Sequence, residues 1–292
     1  MIFVLYKSSS VPSGRALRAK LTELGKTPVK GGFPILYAQH IRKHGPPSLL
    51  VNLGLTEEIS EPEKILNSQE MIRAASDKRG ARRVFQEKGV PIPPLFLRAS
   101  DIGEGDLPVI GRTSHHTKGR GFWYCTKMPQ IPKAVAGGAT HFLGFVPNTR
   151  EYRVHTFINR KTFSKETEDR RPENYTSVKI SEKVWIGQGK PNPSEPQKNH
   201  RFGWSFLGQQ GRREEELNVV RQAAREAIAS LGMDFGAVDV MYHTSTKMPY
   251  VLEVNSCPSL ADESADTCER YARKILDLSF AIFQKEEKDQ FL

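Results

Sequence analysis

The sequence has few cysteines, and their spacing argues against a disulfide framework or a zinc–thiolate site. The three cysteines, Cys125, Cys257 and Cys268, form no CxxC pair. An odd, sparse count without a secretory signal is typical of proteins in a reducing compartment. We therefore expect a cytoplasmic protein.

Long hydrophobic runs are also missing. The opening stretch Ile2–Tyr6 is apolar, but Lys7 and a serine cluster follow at once, so it predicts a β-strand rather than a signal-peptide core. No run approaches the roughly 20 apolar residues of a membrane helix, and we expect no membrane partner. The 292 residues are 38% hydrophobic and 26% charged, a composition that indicates a globular chain.

Acidic residues are outnumbered by basic ones. Asp and Glu total 33 against 43 Lys and Arg, which gives a net charge of +10. Such a balance attracts nucleic acids, acidic protein segments or phosphorylated ligands, although basic surfaces also occur without any such partner. No familiar DNA- or RNA-binding motif is visible, so nucleic acid is not the favoured partner.

Hydrophobic periodicity predicts an α/β chain in which strands and helices share the length. A Pro-rich break at 89–94 follows a helical region that is divided near Ser76–Asp77. The predicted helices are Ser13–Leu24, Ser68–Lys88, Arg212–Leu231 and Ala261–Lys285. Besides Ile2–Tyr6, the predicted strands are Ser48–Leu53, Leu107–Arg112, Gly121–Thr126, His141–Val146, Tyr152–Ile158, Lys161–Lys165, Ser177–Ser181, Phe235–Tyr242 and Pro249–Val254. A Pro- and Gly-rich loop is expected over Gly187–Asn199.

Polar side chains interrupt the last two predicted strands. Asp239 lies in an apolar strand, and Glu253 and Asn255 alternate with apolar residues on the next one, so both face one side. If the strands are neighbours, two carboxylates and an amide oxygen converge as a hard oxygen site for Mg²⁺. The alternative is structural: Asp239 caps a turn and Glu253 pairs with a surface lysine.

The pattern Asp-x13-Glu-x-Asn-x2-Pro after a helix resembles the metal-binding end of ATP-grasp enzymes. These include D-alanine ligases, glutathione synthetases and the ligases that add glutamate to ribosomal proteins, and also unassigned proteins of bacteria and their viruses. The resemblance implies that Asp239, Glu253 and Asn255 hold Mg²⁺, or Mn²⁺, against the phosphates of ATP. Ser259 departs from the family, where glycine often follows the proline. The Asp-Phe-Gly at 234–236 is also found in protein kinases, but no His-Arg-Asp loop precedes it.

Earlier landmarks are similar to the nucleotide-binding elements of the same family. Lys78, in an Asp-Lys pair that opens a helix, is implied to reach toward the phosphates. Arg112 stands where the family has a phosphate-binding lysine. The following segment, with His115, Gly119 and Gly121, resembles the glycine-rich loop that covers the phosphates. The alternative for each is an ordinary surface residue.

The stretch 141–155 resembles the family's hinge and the strand after it. Phe145 and Val146 are implied to meet the adenine edge through their backbone. Glu151 is implied to accept hydrogen bonds from the ribose, and Arg153 shares its face. The alternative is an ordinary strand with a surface ion pair.

A basic segment near position 200 resembles the one that carries the family's catalytic arginine. Here Lys198 takes that place and Arg201 is close by, so either residue is a candidate for stabilising the acyl phosphate. The alternative is a basic loop that touches no ligand.

The resemblance implies an ATP-grasp fold of three α/β lobes with the nucleotide between the second and third. The lobes would span residues 1–94, 95–146 and 147–292. It implies an ADP-forming ligase that joins a carboxylate substrate to an amine, an amino acid or peptide, and the net charge favours acidic ones. A homodimer is usual in the family. The rival interpretations are a nucleotide-binding protein without ligase activity and a basic nucleic-acid-binding protein with the same fold.

Overall fold

The computed structural model describes the chain except for residues 9, 26, 61, 63, 116–120, 148, 160–169, 190–195, 199, 209–212, 261–264 and 290–292. For residues 265 and 281–289 it describes the backbone alone. The predicted strand at 161–165, the predicted site residue Gly119 and most of the 190–199 segment therefore lie outside the described residues.

The first sheet is parallel and opens the chain. Its strands are β1 (Ile2–Tyr6), β2 (Val29–Gly32), β3 (Leu49–Leu53) and β4 (Ile65–Leu66). They are ordered β2-β1-β3-β4, with α1 (Pro12–Leu24) and α2 (Pro34–His44) as connections. Every residue of β1 and β3 is buried, as is typical of parallel strands covered on both faces.

Two short helices follow, divided at the predicted position. In α3 (Gln69–Ser76) the Ser68 hydroxyl accepts from the Met71 amide at 3.4 Å, and in α4 (Lys78–Glu87) the Asp77 carboxylate accepts from the Arg79 amide at 3.2 Å. Each cap satisfies an amide that has no partner inside its helix. The cap at Asp77 fixes the direction of α4 and therefore the place of Lys78.

The second sheet is small and antiparallel. Its strands β5 (Leu95–Phe96), β6 (Val109–Arg112), β7 (Phe122–Cys125) and β8 (His141–Gly144) are ordered β5-β8-β6-β7. Helix α5 (Gln130–Ala136) packs on β6 and β7. A separate apolar core lies beneath it and includes Val109, Cys125, Ile131 and Phe142.

The third sheet is antiparallel and carries the largest core. Its strands are β9 (Thr149–Ile158), β10 (Tyr175–Trp185), β11 (Trp204–Gly208), β12 (Phe235–His243) and β13 (Met248–Asn255), ordered β11-β10-β9-β12-β13. Helix α6 (Glu214–Ser230) packs on β9, β10, β12 and β13, and α7 (Ala265–Asp289) packs on β10 and α1.

The three sheets lie in the three predicted ranges, yet the boundaries themselves stay a prediction. Helices α3 and α4 belong to the first range but pack on β13, and α4 also contacts α6. No helix in the described part of the chain is long and apolar enough to cross a membrane.

Candidate functional site

A large cleft of about 2390 Å³ lies where the three sheets meet. Its wall includes every predicted site residue that the structure describes. These are Lys78, Arg112, His115, Gly121, Phe145, Val146, Glu151, Arg153, Lys198, Arg201, Asp239, Glu253 and Asn255. The fold thus brings together, on one concave surface, residues that are spread over nearly 180 positions of the sequence. They come from the predicted metal-binding pattern and from the four other segments that resemble ATP-grasp elements.

The predicted oxygen cluster lies on β12 and β13, with Asp239 in the middle of β12 and Asn255 at the end of β13. These strands are antiparallel neighbours, and Asp239 pairs directly with Glu253 in their register. A bulge between Asp239 and Val240 shifts the pairing by one residue. Asn255 lies two residues beyond Glu253, and its Nδ2 donates to Glu253 Oε1 at 3.2 Å. The three side chains share one face, as the alternation in the sequence predicted.

Both carboxylates of this cluster are engaged by cations. Arg153 lies opposite Asp239 on the neighbouring strand β9. Its Nε and Nη2 donate to Asp239 Oδ1 and Oδ2 at 2.8 and 3.1 Å. Lys78 Nζ lies 3.6 Å from Glu253 Oε2 and donates to the Val254 carbonyl at 3.3 Å. These pairs offset the cost of holding two carboxylates in a partly buried site.

The donor set fits a hard divalent cation. Asp239, Glu253 and Asn255 offer oxygen ligands alone, which is the set that Mg²⁺ prefers. A carboxylate has about four lone-pair positions, so the same carboxylate can bind an arginine and a metal at once. Among the described residues no group of three or more His, Cys, Asp or Glu side chains is placed to hold a metal, so the amide oxygen of Asn255 is needed to complete this set.

A second group of charges lies on β9 and β10. Glu151 forms an ion pair with Lys183, and both side chains are about nine-tenths buried. Lys183 Nζ also donates to the Lys198 carbonyl at 3.0 Å, and Lys198 Nζ donates to the Thr149 carbonyl at 2.8 Å. This chain of contacts ties the segment 196–198 to the floor of the cleft.

The two candidates for the catalytic cation differ in environment. Burial lowers the pKa of Lys198, Glu151 acts in the opposite direction, and Lys183 adds to the lowering. The Lys198 ammonium also lies 5.3 Å from the centre of the Trp204 ring. Arg201 is exposed, with its guanidinium 5.7 Å from the Phe202 ring. Lys198 is therefore the more rigidly held of the two.

The second sheet supplies the opposite wall. Arg112 ends β6 and pairs with Phe122 of β7, whose ring lies 5.4 Å from the guanidinium carbon. Burial lowers the pKa of Arg112, while Glu253 acts to raise it, so the two residues influence each other across the cleft. Gly121 has a φ of +61°, and a Cβ there would lie 2.5 Å from the Thr113 hydroxyl, so glycine is required at this turn.

Phe145 continues from the second sheet toward the third. Its amide donates to the Pro108 carbonyl at 2.9 Å, and its ring meets Tyr124 edge to face at 5.2 Å. With Val146 it forms an apolar part of the cleft wall.

Solved structures share this architecture, although no family model and no curated protein matches the sequence. D-alanine–D-alanine ligase from Bacillus anthracis matches with a TM-score of 0.65 and 13% identity over 99% of both chains. N5-carboxyaminoimidazole ribonucleotide synthetase from Thermotoga maritima matches with a TM-score of 0.63 and 14% identity over 95% of this chain and 76% of that one. The ATP-grasp ligase PsnB, complexed with Mg, ADP and a variant of its minimal precursor, matches with a TM-score of 0.63 and 11% identity over 94% of this chain and 98% of that one.

The chain has the ATP-grasp fold. The predicted mixed α/β, three-lobed fold class is therefore confirmed. At 11–14% identity the likeness describes the architecture, and the chemistry has to be argued from the residues of this cleft.

The cleft of this ATP-grasp fold is strongly positive. Its described wall carries nine Lys and Arg side chains but three carboxylates, those of Glu151, Asp239 and Glu253. Each of the three carboxylates is already paired with a cation. The six cations in excess would favour a ligand with several negative charges, because low-dielectric walls concentrate their field.

Four of these cations were not among the predicted site residues: Lys7, Arg73, Arg82 and Lys183. Two of them, Lys183 and Arg82, contact predicted site residues directly. Lys183 lies beyond the end of the predicted strand 177–181, whereas β10 continues to Trp185. Since Glu182 pairs with Tyr152, one further step of the strand would have placed Lys183 beside Glu151.

Arg82 is the second of these two residues, and it is buried inside α4. Its Nη1 donates to the Lys78 carbonyl at 3.1 Å and lies 3.0 Å from His141 Nε2, and its Nη2 donates to the Leu252 carbonyl at 2.9 Å. Burial lowers its pKa to about 10. Arg82 holds α4 against β8 and β13 and so positions Lys78. Its spacing of four from Lys78 was the signal, since i and i+4 share a helix face.

Proposed function

We propose that this protein is an ATP- and Mg²⁺-dependent carboxylate–amine ligase that acts through an acyl phosphate. The observation that carries the proposal is the cleft itself, where an oxygen cluster on β12 and β13 faces basic side chains from α4, β6 and the 196–201 segment. The ATP-grasp fold supports it, and the neighbours named above include ligases.

The first half of the reaction brings a carboxylate close to a triphosphate, and the second half develops negative charge on the acyl oxygen and on the leaving phosphate. In the first step an oxygen of the substrate carboxylate attacks the γ-phosphorus of ATP, the bond to the β,γ-bridging oxygen breaks, and ADP leaves. In the second step the amine nitrogen attacks the acyl carbon, the carbon–oxygen bond to phosphate breaks, and the nitrogen loses a proton. Preorganised cations lower both barriers because they are already aimed at the developing charge.

Different residues of the cleft would bind the phosphates, stabilise the transferring group and hold the metal. Lys78 and Arg112 would hold the phosphate oxygens, and Lys198, partly buried and hydrogen-bonded to Thr149, would stabilise the transferring phosphoryl group. Asp239, Glu253 and Asn255 would hold Mg²⁺. When bound, Mg²⁺ supplies charge screening between the phosphates and the carboxylate.

The adenosine part of ATP would lie between the second and third sheets. Phe145 and Val146 provide an apolar part of the wall, and Glu151 lines the same cleft. Because Glu151 is paired with Lys183, we infer that it accepts hydrogen bonds from the ribose through lone pairs that the ammonium leaves open.

The charge excess of the cleft favours acidic substrates. Bound metal and triphosphate compensate one another only in part, so the phosphates take up some of the six surplus cations and the others remain for further anionic groups. We infer that the acid, the amine or both carry a further carboxylate, as glutamate, aspartate and acidic peptides do.

The test is a screen of amino acids and short peptides for ADP release with ATP and Mg²⁺. We expect ADP release to require an amine, and to favour glutamate and aspartate over glutamine and asparagine, which have the same shape without the charge. The double variant Asp239→Asn, Glu253→Gln should lose activity by at least about 100-fold, as expected when charge-stabilising groups are removed.

The matched control is Glu87→Gln, an exposed carboxylate at the end of α4 whose partner is Arg83. It should retain wild-type activity. ADP binding without any amine-dependent ADP release would instead support a nucleotide-binding protein, and retention on nucleic acid unaffected by Asp239→Asn would support the third interpretation.

A further inference from the structure

A second pocket lies on the first sheet, apart from the cleft. It has a volume of about 490 Å³ and opens at β2, the edge strand, between α1 and α2. None of the residues that line the cleft is among those that line this pocket. Nothing in the proposed ligase reaction requires it.

The walls of this pocket are positive on three sides. Arg18 comes from α1, Lys30 from β2, and Lys43 and His44 from the last turn of α2. No acidic residue is among the described residues that line it. Like charges so close together repel one another, and an anion between them would remove that repulsion.

These cations affect the pKa of the two histidines in the pocket wall, His40 and His44. Burial, followed by the charge of Lys30, lowers the pKa of both His40 and His44. His44 and the chain amino group also act on His40, and Lys43 acts on His44. In the part of the chain that the structure describes, every charged group that acts on these imidazoles is positive.

His40 is a buried polar side chain in the wall of the pocket. Its exposed fraction is 6%, and among the described residues neither ring nitrogen has a hydrogen-bond partner. The ring packs between Phe3 and His44, with centroids 5.3 and 5.1 Å away. Buried polar groups in proteins nearly always have a partner, so the two ring nitrogens of His40 point to a ligand in this pocket.

The edge strand adds backbone donors. Ile2 N donates to the Pro28 carbonyl at 3.0 Å, and in a parallel pair alternate residues face the neighbouring strand. Val29 and Gly31 therefore present their amides to the open edge. Gly31 has no side chain to cover its amide, and the Arg18 side chain lies close over it.

We propose that this pocket binds a phosphate-type oxyanion, either inorganic or as the phosphate group of a small metabolite. A tetrahedral dianion can accept from Arg18, Lys30 and Lys43 at once, and arginine suits it because the guanidinium donates through two N–H groups. The position on the outer edge of the first sheet makes this a second ligand site, separate from nucleotide binding and independent of whether the chain is a ligase.

The experiment follows the imidazole signals of the ¹⁵N-labelled full chain by NMR during titration with inorganic phosphate at constant ionic strength. We expect the signals of His40 and His44 to move saturably, and the pKa of His44 to rise, because a nearby anion favours the charged ring. His115 and His200 line the cleft, so their signals report separately on binding there.

The matched variants are Lys43→Gln and Arg42→Gln. Both remove one positive charge from an exposed position of α2, but Lys43 lines the pocket and Arg42 does not. Lys43→Gln should weaken the binding reported by His44 by about fivefold, and Arg42→Gln by less than about twofold. Arg18→Gln on the facing helix should act like Lys43→Gln.

Two outcomes would overturn the proposal. In one, His115 and His200 respond while His40 and His44 do not, which assigns phosphate to the cleft alone. In the other, the two variants on α2 weaken binding equally, which reveals attraction to general surface charge. Circular dichroism of each variant establishes that a weaker response is not caused by unfolding.

Discussion

Asn67 is expected to be the most important single polar residue for the junction between the first and third sheets. It follows β4, is fully buried and has a φ of +58°. Its Oδ1 accepts from the amides of Asp234 and Phe235 at 2.8 and 3.3 Å, and its Nδ2 donates to the Phe235 carbonyl at 2.9 Å. The backbone amide of Asn67 donates to Asp234 Oδ2 at 2.6 Å. The network fixes the start of β12, the strand that carries Asp239.

The substitution Asn67→Ala removes the three side-chain bonds and keeps the backbone one. Each lost bond costs about 1 kcal/mol of unfolding free energy. Alanine keeps the Cβ that asparagine already places at this positive φ, so the backbone strain is unchanged by this substitution. The expected total is therefore about 3 kcal/mol. Asn67→Gly loses the same bonds without the backbone strain, so we expect it to be about 1 kcal/mol more stable than Asn67→Ala.

The measurement is urea unfolding of the wild type and both variants, followed by circular dichroism and fluorescence at equal protein concentration. The expected order of stability is wild type, then Asn67→Gly, then Asn67→Ala. If Asn67→Ala were within about 1 kcal/mol of the wild type, the buried bonds would contribute little and the reasoning would be refuted. If it were more stable than Asn67→Gly, the strain argument would fail.

Two further predictions concern the charges of the cleft. If Lys198 acts as a cation, ADP release will fall as the pH rises through the pKa of Lys198, which burial places below its ordinary value. Lys198→Arg should keep activity to higher pH, and Lys198→Met should lose activity at all pH values. Superimposable pH profiles of the wild type and Lys198→Arg would contradict this. Glu151→Gln and Lys183→Met should each destabilise the chain, and the double variant should be destabilised by less than the sum of the two single effects, with a coupling energy of about 1–3 kcal/mol. Additive effects in thermal unfolding would show that the buried ion pair contributes nothing.

Local signals in the sequence predicted the parts of the fold that depend on local periodicity. The break at Asp77 coincides with a capping side chain, and the amphipathic pattern of α6 is long enough to be decisive. Helices α2 and α5 were not predicted. The exposed side chains of Ile35 and Leu36 obscure the apolar face of α2, and Pro132 lies inside α5, where a proline normally argues against a helix.

The candidate site was predictable to the extent that its residues alternate along strands. The spacing of two between Glu253 and Asn255 predicts that both face the same side of a strand. The partners of the side chains in the site, however, come from distant parts of the chain. Arg153 meets Asp239 because β9 lies beside β12, and Lys78 meets Glu253 because α4 packs on β13. Neither neighbour relation has a local signal, so sheet order had to come from the structure.

These pairings have a consequence for how Mg²⁺ and nucleotide bind. Arg153 contacts both oxygens of Asp239, and Lys78 lies against Glu253. A metal alone must compete with these cations, whereas a nucleotide offers the same cations phosphate oxygens in exchange. We therefore predict that ADP and Mg²⁺ bind cooperatively, each raising the affinity for the other by the same factor, at least about tenfold. Calorimetric titration of Mg²⁺ with and without ADP measures this factor directly, after correction for the Mg·ADP complex in solution. Equal Mg²⁺ affinity in the two titrations would show that Arg153 and Lys78 do not exchange partners, and the oxygen cluster would then have to bind metal by itself.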